Sequence, residues 1–194
     1  MKDGATRVLG FRSSCPVEGG PMPVEPTPAG GERRFPVTEL GPDAAGELVA
    51  LNGAVYPLTA GPDQQPTVGQ VAAELADPDV MTLGVREPVA GRPLVAAACV
   101  RVNPDDPGVA DVARLVVAPG RRRPGLGGLL LRAVEHRLPA QVRELWLHIN
   151  PTDEYSRRLY AQHGYRQAAH ERTAGEHTAH LVKPRRRGAR RSAQ

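Results

Sequence analysis

Residues 115–128 read Leu-Val-Val-Ala-Pro-Gly-Arg-Arg-Arg-Pro-Gly-Leu-Gly-Gly. A Val-rich strand runs into a basic, Gly-bearing turn, and the turn opens an amphipathic helix. Free backbone N–H groups at a helix start point outward, and the helix dipole favours negative charge there. Gly125 and Gly127 let a ligand approach the backbone closely, and Arg121, Arg122 and Arg123 add charged donors. The stretch therefore reads as an anion site, set against a plain helix start with solvated arginines. It is not a P-loop, because no Gly-Lys-Ser/Thr follows. Nor does it have the glycine spacing of a dinucleotide fingerprint.

Outward from this stretch, the pattern predicts a strand at 109–117 and a helix at 125–138. In that helix Leu126, Leu129, Leu130, Ala133, Val134 and Leu138 share one face, and Pro139 ends it. A strand follows at 143–150, with Leu145, Leu147 and Ile149 on one side and Trp146 and His148 on the other. A helix is predicted at 152–163, led by Asp153 and Glu154 and closed by Gly164. Two short strands, 165–169 and 177–182, close the chain.

Upstream, strands are predicted at 33–39, 80–86 and 94–102. Helices are predicted at 43–55, with Ala44, Leu48, Leu51 and Val55 inward, and at 67–76, with Thr67 as N-cap and Val68, Val71, Ala72 and Leu75 inward. The resulting order is β-α-α-β-β-β-α-β-α-β-β. The strand–helix–strand unit at 109–150 implies a parallel pair with a right-handed crossover.

The chain has 194 residues and is 40% hydrophobic, enough for one domain of ordinary core size. Residues 1–31 are dense in Gly and Pro and are expected to be a disordered leader. The folded domain is expected over 32–183, with a flexible Arg-rich tail at 184–194. The net charge of +4 belongs to the end of the chain. Lys183, Arg185, Arg186, Arg187, Arg190 and Arg191 together exceed it, so the remainder is net negative. A solvated tail is expected, and nucleic acid is not expected as a partner. Cys15 and Cys99 are too few for a disulfide framework or a zinc site, so no metal is expected. Cys99 reads as a small buried hydrophobe. No membrane span or secretory signal is visible, and the expected location is the cytoplasm.

Two motifs then fall in order. Arg122-x-x-Gly125-x-Gly127, preceded by Val117 and Pro119, resembles the acyl-CoA signature of the GNAT N-acetyltransferase superfamily. Ser156-x-x-Leu159-Tyr160-x-x-x-Gly164-Tyr165 resembles that family's pattern on the helix after the fifth strand. The resemblance covers residues ~33–183, and each motif sits in its matching structural context.

The resemblance implies an α/β (α+β) domain: a mixed, mostly antiparallel sheet with one splayed parallel pair, flanked by about four helices. It implies acetyl-CoA or another acyl-CoA as co-substrate and a primary amine, on a small molecule or a peptide, as acceptor. Backbone groups of Leu115, Val116 and Val117 would hold the pantetheine arm. The segment Arg122, Arg123, Gly125, Leu126, Gly127 and Gly128 would cradle the pyrophosphate. Asn150 would stand where the parallel strands part. Tyr160 matches the family's general acid, and the Val117 amide would serve the oxyanion. Asp111, on a strand where the family often carries an acidic base, is the base candidate, and His148 is the second. Alternation places Asp111 on a face with Ala113, Leu115 and Val117. The second functional possibility is a non-catalytic acyl-CoA-binding regulatory domain on the same fold. The acceptor pocket falls at 56–70, which carries no motif, so the identity of the amine stays open, as does a homodimer.

Overall fold

The computed structural model describes residues 35–55, 66–89, 91–121, 125–168 and 179–185. The expected leader, most of the tail, most of the acceptor loop, and Arg122 and Arg123 lie outside the described residues.

The elements follow the expected order. They are β1 (Val37–Glu39), α1 (Ala45–Val55), α2 (Val68–Leu75), β2 (Val80–Arg86), β3 (Leu94–Val102), β4 (Val109–Val117), α3 (Leu126–Arg137), β5 (Glu144–Ile149), α4 (Glu154–Gln162), β6 (Arg166–Gln167) and β7 (Ala179–Pro184). One seven-stranded sheet has the order β1-β2-β3-β4-β5-β7-β6. Every neighbouring pair is antiparallel except β4 and β5. Among the described residues no helix is long and apolar enough to cross a membrane.

The sheet is covered on both faces. On one face Leu126, Leu130, Leu131 and Val134 of α3 pack with Ala98, Val112, Leu145, Leu147 and Tyr160. On the other, Leu48, Leu51 and Val55 of α1 and Val71 and Leu75 of α2 pack with Ala97 and Val116. β5 alternates as expected: Leu145, Leu147 and Ile149 are buried against the α3 side, while Trp146 and His148 face the other way. Leu130 is fully buried. Leu130→Ala is expected to lower stability by about 2–5 kcal/mol, read from urea denaturation.

β7 runs to Pro184, into the expected tail, and two side-chain orientations depart from the sequence pattern. Val68 was expected to face inward but is 50% exposed. It opens α2, where helical spacing gives a direction without supplying a packing partner. Thr67 does cap that helix: its Oγ1 accepts from the Gln70 N–H, and the Gln70 side chain returns a bond to the Thr67 N–H.

The second departure lies in β4. Cys99 pairs with Arg114, but Val100 pairs with Val112, so Ala113 is an extra residue in the strand. The bulge reverses the alternation. Asp111 therefore shares a face with Arg114 and Val116, on the α1–α2 side. Leu115 and Val117 lie on the α3 side with Val112. The expected grouping of Asp111 with Leu115 and Val117 is corrected accordingly.

Candidate active site

The parallel ladder between β4 and β5 is short. It runs from Val109 opposite Glu144 to Val112 opposite Leu147 and stops there. Beyond it, residues 114–117 keep their pairing with β3, but their other edge has no strand partner among the described residues. Such an edge is a row of free N–H and C=O groups ready to pair with an extended ligand. The Ala118 N–H donates to the Val95 carbonyl at 2.8 Å. Alternation along the strand therefore turns the backbone groups of Val117 and Leu115 toward the open edge and those of Val116 toward β3.

At the top of this edge α3 begins. Gly125 is its N-cap, in the left-handed conformation at φ 72°, and no side chain caps the helix. The first intrahelical bond runs from the Leu129 N–H to the Gly125 carbonyl at 2.9 Å. The amides of Leu126, Gly127 and Gly128 thus have no acceptor within the helix. An anionic group is the natural partner for such amides. Arg121 is already engaged: it forms an ion pair with Glu87 from the β2–β3 connection. It is therefore not the open phosphate donor that its position in the basic turn suggested.

The glycines divide their work in a way the motif does not reveal. A Cβ at Gly125 would meet nothing within 4 Å, so only the backbone conformation demands glycine there. A Cβ at Gly127 would come within 3.2 Å of Leu159, and one at Gly128 within 2.6 Å of His163. Those two glycines let α4 lie against the first turn of α3. Gly125→Val is therefore the cleaner probe of the anion site. It forces a β-branched residue into a left-handed position, at about 1–2 kcal/mol, without touching the α3–α4 contact. It is expected to weaken binding of a pyrophosphate-bearing ligand, tested with the acetyl-CoA that the sequence resemblance implies, at least ~10-fold while the domain still unfolds cooperatively, as calorimetry and thermal melting would record.

β5 ends at a tight turn. The Asn150 Oδ1 accepts from the Thr152 N–H at 3.0 Å and from its hydroxyl at 2.8 Å. The Asn150 carbonyl accepts from the Asp153 N–H at 3.0 Å. Asp153 then caps α4, its carboxylate accepting from the Ser156 N–H at 3.0 Å and hydroxyl at 2.7 Å. Asn150 thus shapes the turn that aims α4 at the opening.

Tyr160 lies on α4 and is 8% exposed. Its ring meets Tyr165 edge-on, with centroids 5.6 Å apart. Burial pushes the Tyr165 phenol far above its ordinary value, with Glu135 and Tyr160 adding to the shift. Tyr165 therefore holds its proton and serves as a wall. Asp111 sits on the opposite face of the sheet from Tyr160, in β4 beside Trp146 of β5. The two candidate catalytic groups thus flank the parting strands from different sides.

Some polar features of the α1–α2 side gave no sequence signal. Arg114 forms an ion pair with Glu74 of α2, and both are largely buried. The Cys99 thiol donates to the same carboxylate at 3.5 Å. Burial first, and the Glu74 charge second, push that thiol up, so it is inert. His180, buried in β7, likewise gives no sequence signal, because its neighbour across the sheet is set by a long-range pairing.

Residues 53–165, more than half of the chain, match the model of the acetyltransferase (GNAT) family. No curated protein matches the chain. Among solved structures, the chain is similar to the PaiA N-acetyltransferase of Thermoplasma acidophilum in complex with coenzyme A, at 12% identity and TM-score 0.63, over 78% of this chain and 99% of that one. It is similar to an acetyltransferase of the GNAT family from Streptococcus pneumoniae, at 20% identity and TM-score 0.62, over 78% and 99%. It is also similar to the ribosomal-protein-S18-alanine N-acetyltransferase of Escherichia coli, at 17% identity and TM-score 0.61, over 78% and 94%. At these identities the likeness concerns the fold.

Proposed function

The chain belongs to the acetyltransferase (GNAT) family, and from that premise we propose that it moves an acetyl or related acyl group from acyl-CoA to a primary amine by direct attack on the thioester. The observation that carries this reading is the free edge of β4 above Val112, next to the uncapped start of α3. An extended amide-bearing arm pairs with such an edge, and a pyrophosphate suits the free amides of Leu126, Gly127 and Gly128. Both features belong to acyl-CoA. The similar fold from Thermoplasma acidophilum was solved with coenzyme A, and the one from Escherichia coli acts on a protein alanine. Those facts support the donor and the acceptor class.

The residues divide the chemistry as follows. Leu115 and Val117 pair with the donor's arm through their backbone, and the Val117 N–H stabilises the oxyanion that forms at the thioester carbonyl. Asp111, on the α1–α2 side, draws the amine to the opening and assists its deprotonation. Tyr160, on the α4 side, gives its phenolic proton to the departing thiolate. A thiol titrates near ~8.5 and a phenol near ~10, so the transfer is uphill by about 2 kcal/mol, a small step beside the barrier to C–S cleavage, and the phenolate then regains a proton from water.

The test is calorimetric binding of acetyl-CoA, followed by thiol release with a panel of amines. Micromolar binding with turnover of at least one amine is expected. Binding without turnover of any amine would sink the enzyme reading and leave an acyl-CoA-binding domain.

A further inference from the structure

The side of α3 that faces α4 carries two basic side chains that the proposed reaction does not use. Arg132 stands four residues after Gly128, so the two share a face of the helix, and a long helical side chain reaches back toward the N-terminus. The Arg132 Nη1 comes within 3.5 Å of the point that a Cβ at Gly128 would occupy, and the His163 Nε2 within 2.6 Å of the same point. The guanidinium and the imidazole therefore adjoin each other beside the first turn of α3. Arg132 is exposed and His163 is half-buried. Among the described residues no carboxylate forms an ion pair with either side chain. Glu135, further along α3, is engaged by Lys183 of β7 at 2.6 Å. The charged groups acting on the His163 ring are Arg132 and Glu135 from α3 and Lys183 from β7. Burial first, then Arg132 and Lys183, hold the imidazole below its ordinary range against the opposing pull of Glu135, so at neutral pH the ring is largely uncharged. Two adjoining basic groups without an acid leave room for a dianion that would charge both.

We infer that Arg132 and His163 together bind a phosphomonoester dianion, and that in the donor this is the phosphate on the ribose of coenzyme A, separate from the diphosphate taken by the amides of Leu126, Gly127 and Gly128. This rests on the acyltransferase reading. Acyl-CoA carries both groups on one nucleotide, and the two sites adjoin at Gly128: its amide belongs to the diphosphate site, and its missing Cβ makes room for the imidazole. A planar guanidinium takes two phosphate oxygens, and a protonated imidazole donates to another. Arrival of the dianion favours the charged imidazole, so His163 gains a proton on binding. The free ring is depressed by burial and its cationic neighbours, and the bound ring is raised by the phosphate. The contribution of His163 to affinity therefore grows as pH falls through the imidazole range. The phosphate takes up its own second proton near ~6, which sets the lower limit of that gain. The pair thus selects coenzyme A over a donor that lacks the ribose phosphate.

The experiment uses the full chain and two donors, acetyl-CoA and acetyl-dephospho-CoA, titrated calorimetrically between about pH 8 and about pH 6.5 in two buffers of different ionisation enthalpy. Acetyl-CoA is expected to bind at least ~10-fold tighter, with a preference that grows toward the acid end and a larger net proton uptake than acetyl-dephospho-CoA produces. Arg132→Gln should remove most of the preference while affinity for acetyl-dephospho-CoA stays as in the wild type. His163→Gln should remove the extra uptake and most of the pH dependence of the preference. In the unaltered chain, the His163 titration followed by long-range proton–nitrogen NMR should move to higher pH with acetyl-CoA and by less with acetyl-dephospho-CoA, a difference that a merely structural histidine would not show. Equal affinity for the two donors, a preference that survives Arg132→Gln, or a His163 titration that both donors move equally overturns the inference and leaves the acyltransferase reading standing. If neither donor binds, both fall.

Discussion

Tyr160→Phe is expected to lower kcat by about two orders of magnitude while acetyl-CoA affinity stays at the wild-type level. The substitution removes one oxygen and nothing else. The ring still meets Tyr165 edge-on and still fills the space between α4 and the sheet. The cofactor contacts of the proposed reaction are backbone groups of β4 and α3. What disappears is the proton donor for the thiolate. Without it the tetrahedral intermediate expels a charged sulfur into a partly dry site and tends to collapse back to reactants. The measurement is steady-state kinetics beside a binding titration. A variant with full kcat would show that water protonates the sulfur and would remove Tyr160 from the mechanism. A variant that loses rate and affinity together would mean that the hydroxyl positions the donor. Tyr165→Phe is the matched control, because that phenol holds its proton and its hydroxyl has no partner among the described residues. It is expected to keep wild-type kcat.

Much of the fold is legible in local chemistry. β2, β3 and β4 have the predicted bounds, because Pro, Gly and Asn/Asp turns punctuate apolar runs of strand length. The start of α2 is legible for the same reason: Thr67 and Gln70 form a reciprocal cap within four residues. What escapes is whatever depends on pairing between distant segments. The bulge at Ala113 is imposed by the register of β4 against β3. No feature of residues 109–117 alone announces it, and it moved Asp111 to the opposite face from Leu115 and Val117. The engagement of Arg121 by Glu87 and of Arg114 by Glu74 likewise joins residues far apart in the chain. The roles of Gly127 and Gly128 in admitting α4 are also tertiary. A motif marks them as glycines without saying which neighbour needs the space. The sequence thus names candidate residues one by one, and which side of the sheet each occupies is legible only in the strand register.

Arg185→Ala is expected to lower stability by about 2–4 kcal/mol, several degrees in melting temperature for a domain of this size. The residue lies two positions inside the stretch expected to be a flexible tail. It nevertheless ties the end of the sheet to the end of α3. Its Nη1 donates to the carbonyls of Pro139 and Val142 at 2.9 Å, and its Nη2 donates to the Glu135 carbonyl at 2.7 Å. Its own N–H donates to the Arg143 carbonyl at 2.7 Å. A helix C-terminus leaves carbonyls unsatisfied and carries partial negative charge, so one guanidinium answers both needs at once. Only the planar fork of arginine spans several acceptors, so Arg185→Lys should recover less than half of the loss. Because α3 begins at the anion site and ends under Arg185, the loss should appear in chemical denaturation and not in kcat at temperatures where the protein stays folded. A full-stability Arg185→Ala protein would mean that water satisfies those carbonyls equally well, and the fold would then end at β7. A fall in kcat at a temperature where the variant is folded would mean instead that the position of α3 is communicated along its length to Gly125.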